Sequence, residues 1–133
     1  MDIVAALFID DIQLRQVPGP STRIDLTGVQ FSAVAPTAAA PGEVPLVWAP
    51  HLVVIVRCAP DESGVGALEV AYFRGDERIA RNVQPLQVEP GKFNYRLVRA
   101  ELEFADYGTV EARARIDAGP IMVVPYTLLP PPA

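Results

Sequence analysis

The chain has 133 residues, half of them apolar and 20% charged, with a formal net charge of -5. That length suits one domain, able to bury roughly two-thirds of its unfolded surface without metal or disulfide staples. The composition excludes a disordered chain, and the acidic balance argues against nucleic acid and anionic membrane surfaces, which need a basic stripe.

The first segment, "IVAALFI", reads as a strand: the preceding "MD" gives no positive flank for a signal peptide, and Asp10-Asp11 stops the run. "TRIDLTGVQFSAV" is a second strand, with a bend expected at Gly28. Residues 35–50, "APTAAAPGEVPLVWAP", carry four prolines that forbid helix and central strand alike. This stretch is expected to be a long crossover around one end of the fold, with Trp48 plugged into the core. "HLVVIVRCA", "GALEVAYF" and "ERIARNVQPL" continue the strand series, and Gly-Asp in "FRGDER" marks a hairpin between the last two. "CAPDESGVG" and "VEPGK" are turns.

Alternation is cleanest toward the end of the chain. In "TVEARARID", Val110, Ala112, Ala114 and Ile116 point one way, and Glu111, Arg113, Arg115 and Asp117 the other. "LVRAELEFA" repeats this, with Val98, Ala100, Leu102 and Phe104 inward. Phe93 and Tyr95 fall on the opposite parity, so their burial would need a bulge near Arg96. Glu101 and Glu103 with Arg99, Glu111, Arg113 and Arg115 are expected on one mixed-charge outer face. "PIMVVPYTL" closes the chain, and residues 128–133 are expected to fray. No window has helical periodicity. About eight short strands with regular turns predict an all-β, single antiparallel β-sandwich over 1–133, immunoglobulin-like or jelly-roll in topology.

Between the two alternating strands lies "ADYG". Asp106, Tyr107 and Gly108 match the first part of the turn that leads into the penultimate strand of immunoglobulin-like sandwiches, with Val110 where that pattern places a tyrosine. Gly108 suits positive φ and Asp106 caps the turn, so the segment is scaffold. On Asp10, Gly28, Pro45, Pro50, Phe104, Gly108, Asp117 and Pro125, the chain resembles a family of uncharacterised bacterial β-sandwich domains of similar length. The resemblance implies the fold and carries no activity.

Little in the sequence points to catalysis or a cofactor. His51 is the only histidine and Cys58 the only cysteine, so no intrachain disulfide forms and no oxidising compartment is implied. Cys58 shares parity with Leu52, Val54 and Val56, as a small core hydrophobe does. Metal-ligand spacing is missing. The acid pairs Asp10-Asp11, Asp61-Glu62 and Asp76-Glu77 would serve calcium only by converging. No cofactor is implied, and a cytoplasmic location is the default expectation.

The informative feature is missing charge. "IVAALFI", "HLVVIVRCA" and "PIMVVPYTL" are apolar on both parities, whereas a sandwich strand needs one apolar face. Val4, Phe8, Val53, Ile55, Met122, Val124 and Tyr126 are the expected second face. Its expected cover is another chain, either a second copy in a two-fold homo-oligomer or a different protein. Trp48 and His51 form the alternative, a ligand loop for a small molecule, glycan or calcium.

Overall fold

A computed structural model describes residues 1–15, 17–18, 23–34, 46–48, 50–99, 102–104 and 107–131. The described residues form strands only: β1 (Asp2–Arg15), β2 (Arg23–Gln30), β3 (Ser32–Val34), β4 (Leu46–Trp48), β5 (His51–Arg57), β6 (Val65–Arg74), β7 (Glu77–Gln87), β8 (Phe93–Arg99), β9 (Leu102–Phe104), β10 (Gly108–Ile116) and β11 (Met122–Leu129). Eight run to seven residues or more, matching the expected number though longer than the short strands expected, and three have only three residues. Two sheets pack together, ordered β2-β1-β5-β8 (sheet A) and β3-β11-β10-β6-β7 (sheet B), with β4 and β9 as a separate ribbon. Of the 35–50 crossover, 35–45 and 49 lie outside the described residues, as does Asp106.

The core follows the alternating patterns. Ala6, Phe8, Leu52, Val54, Val56 and Val98 from sheet A meet Leu68, Tyr72, Val110, Ala112, Ala114 and Tyr126 from sheet B. Cys58 is buried among them, its thiol donating to the Ala59 carbonyl at 3.4 Å. The β6–β7 hairpin closes through Gly75-Asp76, with Arg74 opposite Glu77.

Several expectations are corrected. The pairing is not wholly antiparallel: the chain leaves sheet A after Gln30, turns at Phe31, and β3 runs parallel to β11. This switch, held by the Thr127 N–H donating to the Phe31 carbonyl at 3.1 Å, joins the sheets along one side. The break therefore falls at Phe31. Gly28 instead holds a left-handed φ of 67° inside β2, where any side chain would run into Asp10. "LVRAELEFA" is not one strand, because β8 pairs with β5 while β9 pairs with β4. Arg99 thus lies in sheet A and Glu111, Arg113 and Arg115 in sheet B, so no single face holds them all. The β5–β8 register is unbroken from His51↔Arg99 to Arg57↔Phe93, and Phe93 is exposed, so the bulge at Arg96 is not needed. The closing strand does not fray at 128, since Leu128 is buried and paired with Gly108.

At the end of β10 the expected turn residues do structural work. Gly108 opens the strand at φ 137°, a conformation that side chains disfavour. Asp117 follows it with φ 51°, a left-handed conformation in which aspartate is among the more tolerated residues. Its N–H donates to the Ala67 carbonyl at 2.9 Å, and its Oδ1 accepts from the Ala67 N–H at 3.0 Å.

Candidate interaction surface

The two faces of sheet A differ in what covers them. Opposite residues across a ladder share a face, which sets Leu7, Val53 and Leu97 in one outer row and Ala5, Ile55 and Tyr95 in the next. Val53 is 0% and Ile9 4% exposed, yet neither belongs to the core cluster between the sheets. Something else on the same chain covers them.

The β1–β2 ribbon is that cover. Past Ile9, β1 leaves β5 and pairs only with β2, as far as Arg15↔Arg23. One face of this extension is apolar, with Ile12↔Leu26 and Leu14↔Ile24 opposite each other. Ile12, Ile24 and Leu26 are half-buried. Ile24 lines a single cleft of about 430 Å³ together with Ile55, Gly91, Lys92, Phe93, Asn94 and Tyr95. Ala5 is the residue opposite Ile55, and a straight ribbon would carry Leu14 about 30 Å beyond Ala5. The ribbon therefore folds back over the outer face of sheet A. The ion pair of Arg15 with Asp25 lies on its other, polar side.

The cover stops short of β8. Phe93 is 59% and Leu97 40% exposed, with half-buried Tyr95 between them on the same face of this edge strand. Ile55 and the cleft continue the apolar surface inward. Other exposed apolar side chains are Phe31, Val34 and Leu129 around the β3–β11 pair, and Val65, Val83, Ile121 and Val123. The centre of the outer face of sheet B is charged. Glu69 accepts from Arg81 at 2.7 Å and from Arg115 at 3.1 Å, and these arginines hold its carboxyl below the usual range. Arg113 stacks 4.0 Å from the Phe73 ring centre.

The seven residues expected on a second face separate into three groups. Ile55 is half-buried beside the cleft and Val4 is 52% exposed, so both reach the surface. Val53 has the expected parity but is closed off by the ribbon. Phe8, Tyr126, Met122 and Val124 are corrections, because they face the interior. Phe8 and Tyr126 are buried with their rings edge to face at 5.1 Å, and Met122 and Val124 pack half-buried against the core. In β11 both parities are apolar, and the core takes the one containing Tyr126 and Leu128, leaving Ile121, Val123 and Leu129 outside. In β1 a register shift between Ile3 and Ala5 moves Phe8 to the core side and leaves Val4 out.

The candidate catalytic and metal-binding residues lie apart where they are described. His51 is half-buried on the outer row of β5, at the opposite end and on the opposite face from buried Cys58. The side chain of Trp48 lies outside the described residues. Asp61-Glu62 and Asp76-Glu77 occupy turns at opposite ends of β6, with Glu62 bonded to the Met1 amine and to the Ala59 N–H. No three His, Cys, Asp or Glu gather among the described residues. No helix among the described residues is long and apolar enough to cross a membrane.

Two tyrosines stand out in the core: Tyr126, which the sequence reading placed on the second face, and Tyr72, which it did not weigh. The Tyr126 hydroxyl donates to Gln30 Oε1 at 3.0 Å, and the Gln30 amide donates in turn to Asp10. Burial, with Asp10 nearby, pushes the Tyr126 phenol up to about 12. The Tyr72 hydroxyl is buried with no partner among the described residues, and burial raises its phenol further. No family model matches the chain, and no curated protein matches it. The molecule is thus defined by its fold class, two packed sheets of β-strands.

Proposed function

We propose that this chain is a non-catalytic β-sandwich module that docks another polypeptide on the outer face of sheet A. The observation that carries this reading is the exposed row Phe93, Tyr95 and Leu97, continuous with Ile55 and the cleft under the β1–β2 ribbon. A row of large apolar side chains on an edge strand stabilises the chain little while it faces water, and such patches mark contact sites. The strand order supports a binding scaffold: β1-β5-β8 against β11-β10-β6-β7 follows the A-B-E and G-F-C-C′ arrangement of immunoglobulin-like sandwiches. That likeness concerns fold alone. A cytoplasmic setting remains part of the reading, supported by the lone buried thiol.

The partner is a second copy of the chain or a different protein. Light scattering at micromolar concentration separates these, a doubled mass marking the two-fold homo-oligomer. A monomer that also leaves hydrophobic dyes unbound contradicts the proposal. The cleft supports a second reading, a small apolar ligand with an anionic group held between Ile24, Tyr95 and Lys92. Saturation of the cleft by such a ligand without any change in protein association would favour it.

A further inference from the structure

Resting on the docking-module reading, we propose that the open edge of β8 accepts an acidic, extended segment of another polypeptide as an added strand of sheet A. Strands β2 and β8 end sheet A, and β3 and β7 end sheet B. Three of these edges are guarded in ways that hinder strand addition. β7 carries an extra residue, Ile79, where its register shifts against Tyr72 and Phe73 of β6, and contains Pro85; β3 has three residues, and β2 is distorted by the left-handed Gly28. β8 runs in unbroken register through seven residues without a proline.

The hydrogen-bond directions show which backbone groups are open. The Cys58 N–H donates to the Lys92 carbonyl at 3.0 Å. Antiparallel alternation then turns residues 94, 96 and 98 toward β5, and the N–H and C=O groups of Phe93, Tyr95, Leu97 and Arg99 away from it. At Tyr95 these groups are plugged by the strand's own side chains: its N–H donates to Asn94 Oδ1, and Arg96 Nη1 donates to its carbonyl, each at 2.9 Å. Both plugs are half-buried side chains of β8 itself, which an arriving strand would have to displace. An added strand would lay every second side chain on the row Phe93, Tyr95 and Leu97, so backbone pairing and the apolar row act together.

Charge selects the occupant. Residues 51–57 and 92–99 contain Arg57, Lys92, Arg96 and Arg99 and no Asp or Glu, in a chain of net charge -5. Lys92 finds its carboxylate in the adjacent turn, at Glu89. A second copy paired antiparallel, β8 to β8, would bring like charges to one edge and set Arg96 opposite Arg96 or Lys92 in some registers, which destabilises cross-strand pairs. An acidic strand brings opposite charge to this edge, to Arg99 on the face of the apolar row and to Arg96 on the other face.

The test titrates the full chain with a blocked peptide of alternating glutamate and valine, as long as β8. Slowed amide exchange is expected at Phe93, Leu97 and Arg99. Affinity should fall roughly tenfold when lysine replaces glutamate in the peptide, and should be lost when the peptide amides facing β8 are N-methylated. A Lys92→Glu/Arg96→Glu/Arg99→Glu variant should prefer the lysine peptide; Arg99→Glu alone, at an exposed site, should narrow the preference. Equal affinity for both peptides, or undiminished binding of the N-methylated one, overturns strand addition. A wild-type dimer that Phe93→Glu splits, with no peptide bound, leaves the docking-module reading standing and removes this proposal. A monomer that binds neither dye nor peptide removes both.

Discussion

Tyr126 and Tyr72 lie in one core, and their hydroxyls meet opposite fates. Tyr126 is hydrogen-bonded to Gln30, which links the two sheets, so Tyr126→Phe should cost about 1 kcal/mol in urea unfolding. Tyr72 buries a hydroxyl without a partner among the described residues, so Tyr72→Phe should be neutral or stabilise by up to about 1 kcal/mol. Equal losses for both would contradict these bonding assignments. Asp117 combines a left-handed backbone with a two-bond clasp on Ala67, and Asp117→Ala should cost about 1–2 kcal/mol in the same assay. Some of this was legible. Gly108 announced its positive φ, but the corner tyrosine of the immunoglobulin-like pattern was missing at Val110. The structure places Tyr126 directly across the ladder from Val110, a pairing that only the register reveals.

At the scale of strands, Val53 and Leu97 make a sharp comparison. They are cross-strand partners on the same outer face of sheet A, yet the β1–β2 ribbon covers Val53 and leaves Leu97 in water. Val53→Ala should therefore cost about 2 kcal/mol. Leu97→Ala should change stability by less than about 0.5 kcal/mol, as surface substitutions do. Similar costs would mean that the ribbon does not fold back. This cover was not readable from sequence, because Ile12, Leu14, Ile24 and Leu26 show only that the ribbon has an apolar face. Alternation located β10 correctly because its two faces differ in polarity. It failed in β11, where Val123 and Val124 are equally apolar and the facing strands decide which goes inside. It failed in β1 because an extra residue near Val4 reverses the parity downstream.

For the molecule as a whole, the two buried phenols set an alkaline limit. Tyr126 has its folded value raised from the ordinary 10.0 to about 12, and burial raises Tyr72 as well. A raised folded value contributes stability that is intact below pH 10 and is lost as pH rises toward 12. Phenolate absorbance from these two tyrosines should thus appear together with loss of sheet signal in circular dichroism; their ionisation with the sheets intact would contradict this. The same scale holds the functional claim. Fold class, Cys58 burial and a surplus of apolar strand surface were legible in the sequence, but which surplus stays exposed was decided by the ribbon. What remains open on β8 is the row Phe93, Tyr95 and Leu97, exposed at Phe93 and Leu97. Titration of a hydrophobic dye into the wild-type chain and a Phe93→Glu/Leu97→Glu variant tests that row most directly. Saturable dye binding by the wild type, lost in a variant of unchanged circular dichroism and stability, is the predicted result. Equal dye binding by both proteins, or none by the wild-type monomer, would contradict it.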